Sequence, residues 1–294
     1  MTPDWLRAAA VRLAEAGIAD ALREARWIAA RALGTDAAGV LAVDLAEPAG
    51  FAGLVARRAA REPLAYILGD APFMDITLGV CRATLIPRAD SETVVAAALA
   101  ARTPDEVGRV LDLGTGTGCL LLTVLLALPS AFGVGVDRAP AACDLARANA
   151  ARLGLQSRAA FVCANWAAPM RGQFDLVLSN PPYIPSADLS TLMPEVTQYE
   201  PRLALDGGRD GLAAYRVLLA TLPRLLTENG LAVLELGAGQ ADVVSRLARD
   251  KGFTIAFRRD QGGHDRAMLL WRDGTKPAET SARKKSFGSA RSDV

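Results

Sequence analysis

A chain of 294 residues, 51% of them hydrophobic, can bury a large core and is expected to form two domains. The longest apolar run, CLLLTVLLAL at 119–128, falls well short of the roughly eighteen residues a bilayer span needs, and MTPDWLRAAAVRLAEAG at the start lacks the pattern of a secretory signal, so no membrane association and a cytoplasmic location are expected. Net charge is +1, but the last twenty residues hold five basic and two acidic groups, which leaves 28 basic against 30 acidic in the body and argues against stable nucleic-acid binding.

The four cysteines, Cys81, Cys119, Cys143 and Cys163, form no CxxC pair, and the one histidine, His264, sits in a GGHDR loop away from them. Neither a disulfide framework nor a metal site is expected, and chemistry built on a histidine base is disfavoured.

In chain order, PDWLRAAAVRLAEAG and DALREARWIAARALG repeat apolar residues at three-four spacing and end in glycine, which predicts two helices. FAGLVARRAAREPLAYILG is a third helical segment interrupted by Pro63, and its arginines Arg57, Arg58 and Arg61 are expected to form a solvated face. APFMDITLGVCRATLI, residues 71–86, alternates and reads as a hairpin joining two modules.

From Val110 strands and helices alternate: RVLDL, the loop GTGTG, the helix CLLLTVLLAL, FGVGV, Asp137, a helix from APAACDLARANAARLG, AAFVCA and FDLVLS. A helix around GLAAYRVLLATLPRLL and strands at LAVLELG, FTIAFRR and RAMLLW bring the count to seven. This is an α/β pattern, a Rossmann-like and largely parallel sheet whose ligand should lie at the carboxyl ends of its strands. Gly114, Gly116 and Gly118 let the backbone approach a ligand closely, and Asp137, at the next strand end, can accept both hydroxyls of a ribose. Dinucleotides and S-adenosylmethionine both satisfy that pair. GTGTG departs from the pyrophosphate pattern GxGxxG, while Asn165 and Trp166, expected to close the third strand, can read an adenine edge and cover its face.

SNPPY at 179–183 ends the fourth strand beside the glycine loop. Pro181 and Pro182 fix the backbone and carry no N–H, so the Asn180 side-chain oxygen and the Pro181 carbonyl can accept the two hydrogens of one planar NH2 group on which Tyr183 stacks. Such a group is an amide or an aromatic amine, and holding both hydrogens aims its nitrogen at an electrophile.

DLGTGTG with SNPPY resembles the class I S-adenosylmethionine-dependent methyltransferases that modify planar NH2 groups. REPLAYILG (61–69), LIPRADSE (85–92), SNPPYI (179–184) and EPRLALDGGRDGLAAYR (200–216) resemble the release factor glutamine methyltransferases, the HemK or PrmC family, over nearly the whole chain before the tail. The resemblance implies S-adenosyl-L-methionine as cofactor, with Gly114, Thr115, Gly116, Thr117 and Gly118 along its methionine portion, Asp137 at its ribose, and Asn165 and Trp166 at its adenine. It implies Asn180, Pro181, Pro182 and Tyr183 as the substrate cradle, with Asn180, Pro181 and Tyr183 in catalytic roles and Asn180 also touching the cofactor. The implied substrate is the glutamine of the GGQ motif in class 1 peptide-chain release factors, and separately the chain is expected to act as a monomer.

The expected domains are a helical substrate-recognition domain over 1–70, a β-hairpin linker over 71–86, the methyltransferase domain over 87–274 and a disordered basic tail over 275–294. Arg88 and Glu92 match the family pattern and are expected to pair as a structural ion bridge. FMD at 73–75 replaces the family's aromatic-glycine pair, which bears on the hairpin turn, and Asn165 stands where Asp is common. The alternatives are a glutamine methyltransferase acting on a ribosomal protein, an adenine amino-methyltransferase acting on nucleic acid, and a non-catalytic cofactor-binding protein.

Overall fold

The computed structural model describes residues 2–37, 39–41 and 46–272, which divide into two compact units. The tail expected over 275–294 lies outside the described residues. One unit is helical, with α1 (Asp4–Glu15), α2 (Ala21–Leu33), α3 (Phe51–Ala59) and α4 (Leu64–Leu68). Leu6 and Leu13 on α1, Ala25 and Ile28 on α2, and Phe51 and Val55 on α3 recur at helical spacing and meet in one core. Pro63 separates α3 from α4, as its missing N–H and ring demand, and Met193–Tyr199, from much later in the chain, clusters with this unit.

That late segment corrects the expectation for the arginines. Arg58 is buried, with Nε on Glu24 Oε2 at 2.5 Å and Nη1 on Glu195 Oε1 at 3.1 Å. Arg61 reaches Glu195 at 2.8 Å and Arg57 reaches Glu62 at 2.8 Å. A solvated face is replaced by an ion-paired cluster, because Glu24 and Glu195 supply compensating charge that no local spacing reveals. Burial pulls the Arg58 guanidinium toward neutrality, and the two carboxylates more than reverse it, so it holds its proton more firmly than a free arginine.

The other unit opens with the two-stranded ribbon β1 (Asp70–Phe73) and β2 (Ile76–Gly79), shorter than the expected 71–86. Met74, in place of a glycine, takes a left-handed φ of 49° at the turn, and its amide is held by Glu92 Oε1 at 3.1 Å. Then follow α5 (Ala89–Ala101), β3 (Arg109–Leu113), α6 (Cys119–Ala127), β4 (Phe132–Asp137), α7 (Pro140–Arg152), β5 (Ala159–Cys163) and β6 (Phe174–Ser179). After the short α8 (Pro194–Tyr199) come α9 (Ala213–Leu225), β7 (Leu226–Glu235), α10 (Ala241–Arg249), β8 (Phe253–Arg259) and β9 (Asp265–Arg272).

The seven strands lie in the order β5-β4-β3-β6-β7-β9-β8, parallel except for β9, which runs against both β7 and β8. Alternate residues of the strands serve opposite faces: Val110, Leu176 and Leu178 pack with α5 and α6, while Leu111, Leu113 and Val177 pack with α9. From β3 the chain winds outward through β4 to β5 and returns to β6 on the other flank of β3, so the topology reverses between β3 and β6. A crevice opens there above the strand carboxyl ends.

Candidate active site

Both strand ends at the reversal are tied together: Ser179 Oγ donates to the Leu113 carbonyl at 2.6 Å, and the Asn180 carbonyl lies 3.9 Å from where a Cβ on Gly114 would stand. A cavity of about 700 Å³ opens here, lined by Gly114, Thr115, Gly116, Thr117, Asp137, Asn165, Trp166, Asn180 and Pro182 among others. Gly118, Pro181 and Tyr183 are not on its wall. Gly118 starts α6 in the left-handed region, Pro181 is buried, and the half-buried Tyr183 ring packs against the α9 face of the core.

Gly116 has a φ of 53°, and a side chain there would project into open space on the cavity wall, so glycine keeps that space for a ligand. Asp137 accepts the Gly116 amide at 3.0 Å and the Ala139 amide at 2.9 Å, one on each carboxylate oxygen. It thereby fixes the loop while each oxygen keeps acceptor capacity toward the cavity. Beneath the loop Asp112 is fully buried and takes the Thr115 hydroxyl at 2.7 Å. Burial pushes its carboxyl up to about 7, with Asp137 adding to the shift. Strand β5 ends at Cys163, so the exposed Asn165 and the half-buried Trp166, at a φ of 51°, belong to the loop beyond it.

Asn180 Nδ2 donates to Ser91 Oγ at 3.0 Å. Ser91 Oγ donates in turn to Glu235 Oε2 at 2.5 Å, and the Tyr183 hydroxyl donates to Glu235 Oε1 at 3.2 Å. Gln240 Nε2 donates to the Tyr183 carbonyl at 2.9 Å, so the NPPY turn is gripped on two sides. Burial raises the Glu235 carboxyl to about 7, although Ser91, Arg266 and Tyr183 pull it down. The same burial holds the Tyr183 hydroxyl well above its ordinary range, so it stays a donor. Arg88 and Glu92 do not pair: Arg88 bonds both oxygens of Glu200 at 2.7 and 2.8 Å, and Glu92 serves the hairpin turn.

The segment from 200 onward closes the site. Ile184 N donates to the Leu205 carbonyl at 3.0 Å, Gly207 N returns the bond to Ile184 at 2.8 Å, and Ser186 Oγ binds Asp206 Oδ1 at 2.6 Å. Among the described residues no group of three His, Cys, Asp or Glu could hold a metal ion, and no helix is long and apolar enough to cross a membrane.

A family model described as PrmC N-terminal domain matches residues 4–69, and one described as methyltransferase small domain matches 90–198. A release factor glutamine methyltransferase of Rhodospirillum rubrum is 43% identical over 272 residues, covering 90% of this chain and 83% of that protein. The chain belongs to the release factor glutamine methyltransferase family. A second member, from Geobacter sulfurreducens, is also 43% identical and covers 90% of this chain and 93% of its own. At the level of fold, the crystal structure of the hMettl16 catalytic domain in complex with MAT2A 3'UTR hairpin 1 matches with a TM-score of 0.55 at 15% identity, over 76% of this chain and 83% of that one.

S-adenosylmethionine is the cofactor of this class of enzyme, and the cavity suits it. The Asp137 carboxylate on the wall would favour a cationic ligand, and the open space over Gly116 would give its chain room. Ser91, Glu235 and Gln240, which hold the NPPY turn, are the residues that sequence inspection passes over. A glutamate inside the apolar strand LAVLELG was the available signal, since a buried charge must have partners.

The two raised carboxyls give a stability prediction. Glu235 and Asp112 have folded values near 7 against ordinary values of 4.5 and 3.8, so each favours the folded state when protonated and that contribution is lost as pH rises through about 7. The ligand-free chain is expected to lose stability between about pH 4 and 7. Glu235→Gln should flatten that slope in urea denaturation, and an unchanged slope would show that Glu235 has no raised value.

Proposed function

We infer that this chain transfers a methyl group from S-adenosylmethionine to the side-chain amide nitrogen of the glutamine in the GGQ motif of class 1 peptide-chain release factors. The observation that carries the reading is the fixed amide of Asn180: with Nδ2 committed to Ser91, the acceptor Oδ1 is the atom left for a ligand at the cavity. In this reading, Asn180 Oδ1 and the Pro181 carbonyl accept the two hydrogens of the substrate amide. An amide lone pair is delocalised into its carbonyl, and two acceptors on the N–H groups favour the charge that develops as the nitrogen attacks. When bound, the cofactor supplies the electrophilic methyl.

Asp137 would hold the ribose, Gly114 through Gly118 the methionine portion, and Asn165 and Trp166 the adenine. Asn165 offers one acceptor where an aspartate would offer a charge. Tyr183 orients the turn through its hydroxyl and carbonyl contacts, and no base needs to act before transfer because the product nitrogen is acidified and can release its proton afterwards. The helical domain over 1–70 would grip the release factor, and the hairpin over 71–86 would link it to the catalytic domain over 87–274. The enzyme is proposed to act in the cytoplasm as a monomer without stable nucleic-acid binding.

Labelled cofactor incubated with a release factor, ribosomal proteins and DNA, followed by mass mapping, tests the assignment. Label on a release-factor glutamine supports it, and label on ribosomal protein or on DNA adenine alone overturns it. Asp137→Ala should weaken cofactor binding by about 1.5–3 kcal/mol for each charge-assisted hydrogen bond lost, tenfold or more in Kd. Equal affinities of mutant and wild type by calorimetry would remove Asp137 from the ribose site.

A further inference from the structure

We propose that Glu235 is a positioning residue for methyl transfer, fixing through Ser91 which face of the Asn180 amide is turned to the substrate. The inference rests on the reading of Asn180 Oδ1 as acceptor of the substrate N–H. Glu235 ends β7, the strand beside β6, and Ser179 pairs in register with Leu234, so Glu235 and Asn180 leave neighbouring strands at the same level. Ser91 comes from the first turn of α5 and lies between them, buried.

A serine hydroxyl has one proton, and Ser91 gives it to Glu235 Oε2 at 2.5 Å. Its lone pairs then face Asn180, where only an N–H can meet them, as observed at 3.0 Å. A carboxylate accepts and cannot donate, so the polarity of the chain Asn180 to Ser91 to Glu235 has one direction. The second carboxylate oxygen takes the Tyr183 hydroxyl at 3.2 Å, so both oxygens of an ionised Glu235 are used by donors.

Protonation breaks this order. A proton on Oε2 would turn Ser91 to donate toward Asn180, the Asn180 amide would flip, and its NH2 would face the NH2 of the substrate, donor against donor. The groups facing Glu235 are Tyr183 beyond β6, Asp90 and Ser91 on α5, Cys119 on α6, Tyr215 on α9, whose hydroxyl binds the Glu235 carbonyl at 2.9 Å, and Arg266 on β9. Arg266 is held charged by Asp90 and Asp260, both at 3.1 Å, and burial pushes the Cys119 thiol up to about 12. Among these Glu235, raised to about 7, is the group that changes charge near neutrality.

The test is kcat for release-factor methylation by the full chain, at saturating cofactor and substrate, across neutral pH. Wild type should lose activity on the acid side of about 7. Glu235→Gln should be several-fold slower at high pH and have a shallower acid limb, with Asp112 beneath the glycine loop accounting for what remains, and Ser91→Ala should lower kcat about tenfold with cofactor affinity unchanged, since one oriented hydrogen bond is removed. An acid limb of unchanged depth in Glu235→Gln, or a wild-type kcat in Ser91→Ala, overturns the inference while leaving the methyltransferase reading intact. A wild-type enzyme that labels no release factor overturns both.

Discussion

Asn180→Ala is expected to slow single-turnover methylation of a release factor a hundredfold or more while cofactor affinity stays within a few-fold of wild type. Its amide oxygen is the acceptor that meets the nucleophilic nitrogen, and an oriented hydrogen bond that strengthens in the transition state is worth about 3–4 kcal/mol. Cofactor affinity is spared because Asp137 and the glycine loop keep their own hydrogen bonds, which do not pass through Asn180. Asn180→Asp is no safe substitute. Its carboxylate would face Ser91 Oγ, whose one proton is committed to Glu235, so one of the two acids would lose its donor. Both variants should fold, since Asn180 is half-buried and stands on the cavity wall, where a changed side chain meets open space. A wild-type rate in Asn180→Ala would remove Asn180 from the chemistry.

Arg58→Ala is expected to destabilise the helical unit by about 3–5 kcal/mol, the usual cost of removing one partner from a buried ion pair. Four donor contacts vanish, two to Glu24, one to Glu195 and one to the Glu62 carbonyl, and the carboxylates of Glu24 and Glu195 lose their shared cation. Arg61 remains on Glu195, but Glu24 is left uncompensated. A helical unit of this size has little stability to spare, so denaturant titration should show it unfolding before the sheet unit. Replacing Arg58, Glu24 and Glu195 together by Met and Leu should recover most of the loss, because the cost lies in the unpaired charge. A change below about 1 kcal/mol in Arg58→Ala would mean that the cluster is solvated after all.

The central strands are legible in the sequence because buried parallel strands are continuous apolar runs cut off by glycine or proline, as in RVLDL before GTGTG and FDLVLS before NPP. The glycine loop and Asp137 are legible for the same reason: their positions at strand ends follow from the alternation. Helix α5 is not, since ADSETVVAAALAA carries alanine and valine on every side and shows no stripe. With α5 unseen, Ser91 has no address, and the support of Asn180 stays hidden. Glu195 lies 137 residues from Arg58, so no local pattern could pair them. Trp166 and Tyr183 are both aromatic, near strand ends and packed against the same core cluster, yet Trp166 also lines the cavity and Tyr183 does not, a difference that residue type and spacing do not encode.

Single-turnover methylation of a class 1 release factor, run beside a version whose GGQ glutamine is replaced by alanine, tests the proposed reaction most directly. Label on the natural factor, mapped to that glutamine and absent from the alanine version, is the expected result. Equal labelling of both factors would contradict the assignment of the substrate and of Asn180 as the group that holds it.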